Sequence, residues 1–430
     1  MKRKQLLYLI ILMTAAIAQQ AWAGDKKGLN GQNIVHGICY QLTAKKQVAT
    51  VIRHPQGYQG EVIIPEKITV DSVTYYVEAI ASNAFQDCSA MTAITIPKSV
   101  SKIGSEAFAG CSSLKGIVLP RNITELQASL FENCASLTDV DLPRSVTRMS
   151  SAIFRNCKSL EKITLPPSIT TLPTNTFAGC SNLKEVTLPS GLTNMGNNVF
   201  QDCTSLATLH LPTGIKNAGE HLFSGCTSLK SIQIPNSMTR LPAYCFENCS
   251  SLTDIQLPNS VSTIRHDAFN GCVSLDSLYL PNAIREVEAN CFANCSNLRR
   301  IILPNGLQAL PNAMFRNCSN LETIDLPNAI RGIGNHTFDG CTNLRRIILP
   351  SGMRRIGAAA FERCSSLMEV HVMGAAPAKI SSSTFAKSTQ KEGTLFVRYG
   401  TITNYQLDKN WNRFLDMIEV TDQGQIVVNQ

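Results

Sequence analysis

Two cysteine pairs in C-x-x-x-C spacing, Cys245 with Cys249 and Cys291 with Cys295, are the first candidates for chemistry in this sequence. Thiolates so spaced are zinc ligands or disulfide partners. One tetrahedral zinc cannot use both pairs, because they lie two sequence repeats apart and each repeat advances the chain by one strand spacing of about 4.8 Å. Zn–S bonds of about 2.3 Å do not span the resulting ~10 Å. Each pair is left as a local disulfide or as core filling. The seven histidines (His36, His54, His210, His221, His266, His336, His371) show no H-x-x-x-H or H-E-x-x-H spacing. No G-x-S-x-G, G-x-x-x-x-G-K-[ST] or strand-linked G-x-G-x-x-G occurs either. The residues therefore point to no catalytic centre, no metal and no cofactor.

What positions these cysteines is a clock. Thirteen of the 16 fall at Cys88, Cys111, Cys134, Cys157, Cys180, Cys203, Cys226, Cys249, Cys272, Cys295, Cys318, Cys341 and Cys364, always 23 residues apart. A fixed period in the twenties marks a solenoid of stacked units. Other columns keep the same phase. Phe stands three residues before each cysteine, from Phe85 to Phe361, and uses thirteen of the chain's 16 phenylalanines. Leu follows at +3 (Met91 in the first copy), aliphatics at +6, +8, +12 and nearly always +15, and Pro at +9 in twelve copies.

Each column has a physical reading. L-x-x-I-x-L from +3 to +8 is a short strand whose +6 and +8 side chains share a face. Proline, lacking an N–H, ends it. A second extended segment carries the +12 and +15 aliphatics. The A-F-x-G/N-C stretch reads as one helical or 3₁₀ turn. The residue before the cysteine is Gly, Asn or Asp in every copy but Arg363, the set that accepts φ > 0 where such a turn stops. One rung cannot bury its own apolar face, so Phe, Cys and the aliphatics become interior ladders between rungs. Regular spacing argues for free, buried thiols that act as small hydrophobes, even in an exported protein.

These residues resemble a known family. L-x-x-I-x-L at a 23-residue period is similar to the leucine-rich repeat. The fuller I-G-x-x-A-F-x-G-C-S-S-L-x-x-I-x-L-P resembles the BspA-like subclass of bacterial surface and secreted proteins. Ile103 to Phe108 leading into Cys111, and Ile356 to Phe361 leading into Cys364, carry the match most fully. The expected fold is an α/β solenoid of the leucine-rich-repeat type. It has 13 stacked 23-residue rungs of short parallel strands, one helical or 3₁₀ turn per rung, and a β-rich N-terminal cap. Residues 24–77 form that cap, 78–373 the repeats, and 374–430 a degenerate last repeat with a C-terminal cap. The subclass has Gly after the +15 aliphatic, where this chain often has Pro173, Pro242, Pro311, Arg265, Glu288, Gln127 or Ser150. The turn there is accordingly expected to differ between rungs.

Composition closes off other classes. With 44% hydrophobic and 16% charged residues the chain is not disordered. Lys2, Arg3 and Lys4, the apolar run from Leu6 to Ala18, and Ala21-Trp22-Ala23 read as a signal peptide cleaved after Ala23. That run is too short to span a membrane. Cleavage takes three positive charges from the net +8, leaving a mildly basic chain with no case for nucleic acid. The protein is expected to be exported: secreted, periplasmic or at the cell surface.

A partner would meet the strand positions +4, +5 and +7, which alternate away from the core. At +7 the later rungs carry Tyr279, Ile302, Asp325 and Ile348, flanked by Arg299, Arg300, Arg345 and Arg346. Apolar anchors beside arginine suit a protein-binding hot spot. Glu322 and Asp325 between the arginine pairs also allow a lateral salt-bridged ladder with no binding role. The resemblance implies a non-enzymatic protein that adheres to host or neighbouring-cell proteins through its repeat face, its ligand an extracellular protein or glycan. A carbohydrate-binding module, disfavoured by the scarcity of tyrosine in the repeats, and an enzyme with a site at a cap are the alternatives.

Overall fold

The computed structural model describes residues 26–27, 32–421 and 425–427, so the expected signal peptide lies outside the described residues. The chain divides into two compact units, Met1–Pro189 and Ser190–Gln430. Each is a β-solenoid in its repeat portion, and each is described by itself.

The rung beginning near Lys102 shows how the repeat folds. Lys102–Ile103 is a two-residue strand, followed by a tight turn region through Cys111 and a second strand, Gly116–Val118. The next rung repeats this in register, Ile117 beside Val140 in parallel pairing. At +9, the carbonyl of Pro120 accepts the N–H of Ile123 at 3.1 Å, so the proline that ends one strand also closes the turn leading to the next.

The turn region departs from expectation. No helical or 3₁₀ segment stands in any rung; among the described residues such segments occur only at Ala44–Lys46, Lys387–Glu392, Ile402–Leu407 and Trp411–Arg413. Alternate N–H groups are committed elsewhere. Glu106, Phe108 and Gly110 donate to the carbonyls of Ala128, Leu130 and Glu132 in the following rung, at 2.9, 3.1 and 2.7 Å. Two left-handed residues bracket each Phe, one directly before the cysteine as expected and another five before it (Glu106, Ser129, Ala152 and their counterparts). A right-handed helical turn cannot contain them. The architecture is therefore a β-solenoid and not an α/β one. Nor does it stop at thirteen rungs. The winding runs to about 15 turns, because strands outside the cysteine-marked copies join its ladders.

The first unit begins with an antiparallel arrangement of Asn33–Val35, Ile38–Thr43 and Val48–Val51. His36 and Gly37, both at positive φ, supply the two-residue turn between the first two of these strands. Val48–Val51 then pairs in parallel with Val73–Ile80, which itself pairs in parallel with Lys102–Ile103. Gly60–Ile63 pairs likewise with Met91–Thr95. The N-terminal strands thus supply the first partners of both repeat ladders. Tyr58 closes the interior: its ring packs 4.6 Å from Phe85 while its hydroxyl donates to the Ile52 carbonyl at 2.8 Å.

In the second unit Arg346–Leu349, Glu369–Val372, Thr394–Arg398 and Asp416–Val420 form one continuous parallel sheet. Phe385 stacks on Phe361 at 5.1 Å, and Trp411 and Phe414 pack against Phe385 to end the column. Trp411 donates its indole N–H to the Ala378 carbonyl at 2.8 Å.

Inside each unit the phenylalanines stack at centroid distances such as 5.7 Å for Phe108–Phe131 and 5.4 Å for Phe246–Phe269, all fully buried. The cysteine column has a role beyond filling. After the first copy, whose Cys88 meets the Gln86 carbonyl instead, the ladder thiols reach back 26 residues to the Phe carbonyl of the preceding rung; Cys111 meets Phe85 at 3.1 Å, Cys134 meets Phe108 at 3.1 Å and Cys272 meets Phe246 at 3.1 Å. That carbonyl also accepts the N–H of its own rung's cysteine, Cys88 to Phe85 at 3.1 Å. Both lone pairs of that buried carbonyl are thereby used.

The residues before the cysteine follow a pairwise rule. A Cβ on Gly110, Gly179, Gly225, Gly271 or Gly340 would lie 2.2–2.6 Å from the side-chain oxygen of Asp87, Asn156, Asp202, Asn248 or Asn317, one rung earlier. Glycine is one solution and Asn over Asn is another: Asn156 and Asn317 stack on Asn133 and Asn294 and donate to their side-chain oxygens at 2.9 Å. The turn after +15 varies as expected: a Cβ on Gly104, Gly219, Gly334 or Gly357 would lie 2.3–2.5 Å from a backbone nitrogen of the preceding rung, so rungs with other residues there take a different local backbone while keeping one common hydrogen bond. Ser150, Arg265 and Glu288 donate to the carbonyls of Leu126, Leu241 and Ile264 as Gly334 does to Leu310, at 2.8–3.1 Å. Pro173, Pro242 and Pro311 lack only the donor.

The left-handed position five before the cysteine holds no glycine in any of the thirteen copies. An L-residue pays roughly 1–2 kcal/mol for that conformation. Ala313, at φ 54° and buried, is a clean probe. Ala313→Gly is expected to leave stability unchanged or raise it by up to about 1 kcal/mol, strain relief offsetting the looser unfolded chain. Ala360→Gly, at a buried position without positive φ, should lower it by about 1 kcal/mol. Thermal melts of the two variants check this; equal losses would contradict it.

Candidate macromolecule-binding face

Counting each rung from its cysteine, the first strand presents the pattern exposed, buried, exposed in rungs such as those of Lys162–Thr164, Asp254–Gln256 and Ser277–Tyr279. The +6 residue points into the core, which leaves +5 and +7 on the solvent face beside the exposed +4 residue. In the second unit this face gathers the residues singled out from the sequence. Tyr279 and Ile302 are Cα partners on neighbouring strands, 55% and 44% exposed. Ile348 is 42% exposed and pairs with His371, whose ring stacks on Phe396 at 4.3 Å. Burial first, and the nearby Arg346 charge, outweigh the pull of Glu369 and hold the His371 imidazole below its usual pKa. It is neutral at neutral pH and lengthens the apolar line.

Arg299, Arg300, Arg345, Arg346 and Asp325 are all exposed. Backbone bonds hold the +4 residues in register, Arg299 N–H to the Asp276 carbonyl at 2.8 Å and Arg345 N–H to that of Glu322 at 3.3 Å. The lateral salt-bridged ladder is present only in part. Arg299 meets Asp276 at 3.4 Å, but among the described residues Arg300, Arg345 and Arg346 have no ion pair with Glu322 or Asp325. Residues 321–327 also carry no regular strand, so Asp325 interrupts both the sheet and the apolar line.

The cysteine pairs resolve as core. All sixteen cysteines are buried free thiols. Cys291 donates to the Arg265 carbonyl at 3.0 Å, while Cys249 and Cys295 make the usual bond to Phe223 and Phe269. Burial pushes the thiols of Cys134, Cys180, Cys249, Cys295 and Cys364 up to about 12, so they stay protonated and unreactive at neutral pH.

Two clusters on the turn side of the second unit were not apparent in the sequence. Tyr244, left-handed at φ 57°, lies between His221 (4.3 Å, stacked) and His266 (4.7 Å, edge-on), with Glu247 and Asp267 alongside. Following the column five before the cysteine would have found His221 and Tyr244. The second centres on Asp339, buried and contacted by Arg363 at 2.8 Å, Arg316 at 3.6 Å and His336 at 3.3 Å. This explains the one irregular residue before a cysteine: Arg363 keeps the left-handed conformation and lays its guanidinium on Asp339 and on Asn317. His336, Asp339 and Glu362 come close enough to ligate a metal. Two guanidinium groups already hold that carboxylate, and their charge opposes a cation.

Burial by itself raises the Asp339 pKa, but the Arg363 hydrogen bond and charge, joined by His336, outweigh it and hold the carboxyl below its ordinary value. A depressed carboxylate stabilises the fold above its unfolded pKa of roughly 4, and loses that contribution as pH falls through the folded value. Asp339→Asn should therefore melt below the parent at pH 6, and the gap should shrink as pH drops below about 4. A gap that is constant between pH 6 and 3 would show that the ion pairs contribute nothing.

A solenoid of parallel strand ladders with 23-residue turns and an outward strand face is a leucine-rich-repeat architecture. The family model described as BspA type Leucine rich repeat region matches residues 78–206, 170–298 and 262–392, and the chain belongs to this family. It is similar to a leucine-rich repeat protein from Bacteroides ovatus, with 29% identity over 78% of this chain and 92% of that one and a TM-score of 0.67. A leucine rich cell surface protein from Faecalibacterium prausnitzii shares 26% identity over 80% and 95% of the two chains, with a TM-score of 0.58. No curated protein matches the chain. Among the described residues no helix is long and apolar enough to cross a membrane.

Proposed function

We propose that this chain is an exported, non-enzymatic adhesion protein that holds an extracellular protein on its strand face, with residues 24–77 and 374–430 capping the repeats at 78–373. The observation that carries the reading is the exposed line Tyr279, Ile302 and Ile348 beside Arg300, Arg345 and Arg346, which form no ion pair among the described residues. Amphipathic aromatic and arginine side chains of this kind dominate protein interfaces. Leucine-rich repeat proteins are generally binding proteins, and the F. prausnitzii relative is described as a cell surface protein. Glu322 and Asp325, exposed between the arginine pairs, favour a partner of mixed charge over a sulfated or otherwise polyanionic glycan. The experiment is a side-by-side screen of the purified protein against extracellular matrix proteins and glycans. A protein ligand that competes away when the Tyr279–Ile348 face is blocked is expected; binding to glycans alone would contradict the proposal.

A further inference from the structure

The charges on this face alternate in sign from rung to rung. Asp276 is followed by Arg299 and Arg300, then Glu322 and Asp325, then Arg345 and Arg346, all exposed and all on successive first strands or their equivalents. Read in reverse order, the signs are opposite at every step. A surface with that property is its own complement. When two copies face each other about a two-fold axis parallel to the strands, passing between the rungs of Cys295 and Cys318, each of these four rungs meets a counterpart of opposite charge, and the next rungs out set Asp254 against Glu369. Each position along the strand is kept, so Arg299 lies against Glu322 of the second copy and Asp276 against Arg345, while Asp325 falls on Ile302. The same operation sets Tyr279 against Ile348. A shift of the axis by half a rung, onto either neighbouring strand, brings like charges together, which excludes those registers; a full-rung shift toward Glu369 keeps opposite signs facing.

We propose that the partner this face fits is a second copy of the chain, in an antiparallel, isologous dimer centred between Ile302 and Asp325. The proposal rests on the reading that this face binds protein, and it names the partner. Four rungs at about 4.8 Å give a contact on the order of 300 Å² per copy, well under the ~800 Å² of a standard interface. Association is accordingly weak, electrostatically directed and sensitive to salt.

Sedimentation of the purified full chain over concentrations up to about 1 mM reads this directly. A monomer–dimer equilibrium at low salt, weakened at least tenfold at about 0.5 M salt, is expected. Arg345→Glu with Arg346→Glu should be monomeric alone, and Asp276→Arg should be monomeric alone. Mixed together the two variants should associate, because each reversed +4 charge then meets its complement. All of these side chains are exposed, and melting curves confirm that the variants are folded. A monomer at every concentration, a dimer indifferent to these reversals, or a mixture that does not associate would each overturn the dimer. A monomeric chain that still binds a matrix protein in a manner lost on reversing the arginines would overturn the dimer alone and leave the proposed function standing.

Discussion

Cys134→Asp is expected to cost the fold several kcal/mol and to abolish the cooperative melt of the first unit. Cys134 is fully buried, and its thiol donates to the Phe108 carbonyl at 3.1 Å. Aspartate presents acceptors only, so a carboxylate there would oppose that carbonyl and have no cation beside it. Protonating the carboxylate to avoid the charge still loses the packing of sulfur against the neighbouring rungs. Cys134→Ser keeps a donor of similar reach and should cost only about 1 kcal/mol. The ordering of the three proteins, parent and Ser close together and Asp far below, separates a buried donor from a column that faces solvent. Near-equal melting of all three would place the column at the surface.

Phe269→Ala carries the second largest expected effect, about 3–5 kcal/mol. Its ring is fully buried between Phe246 and Phe292, with centroids 5.4 Å away on either side. Removing it opens a cavity that neither neighbour can fill, since each is fixed by its own stack. In a solenoid, stability is a sum of rung and interface terms, so the damage should be local. Hydrogen exchange should show lost protection in the rungs around Phe246, Phe269 and Phe292, while the strands near Arg355–Ile356 and Thr394–Arg398 keep theirs. Uniform loss across the second unit would mean that it opens as one cooperative block.

The 23-residue period, the strand faces, the buried thiols and the exposed Tyr279–Ile348 line could all be read from residue spacing, because they depend only on which side chains recur and at what interval. The helical turn could not be excluded that way. Its absence follows from where Glu106, Phe108 and Gly110 send their N–H groups, a choice made between rungs and not within one. The left-handed residues five before each cysteine were only partly signalled: Asn83, Asn175, Asn198, Asp267 and Asn290 are types that favour positive φ, but Ala, Glu, Ser and Tyr in the same column mask the trend. Gly and Asn were recognisable as a set before the cysteine. That Gly340 packs against the Asn317 side chain, or that Arg363 is tolerated because Asp339 receives it, appears only once the rungs are stacked. At the binding face the sequence left two readings of the arginines open. Of these four arginines only Arg299 has a lateral ion pair among the described residues, so the ladder reading holds in part.

The central claim is that the exposed strand face of the second unit, and not a cap or the turn side, holds a protein partner. The most direct measurement compares the affinity of the parent with that of a variant carrying Arg299→Ser, Arg300→Ser, Arg345→Ser and Arg346→Ser, for one matrix protein found by the screen. Exposed side chains of this kind contribute little to folding, so the two should melt within about 0.5 kcal/mol of each other. Hot-spot arginines cost about 2 kcal/mol or more apiece when truncated, so the variant should lose at least about 100-fold in affinity. Unchanged affinity in a variant that folds normally would contradict the account.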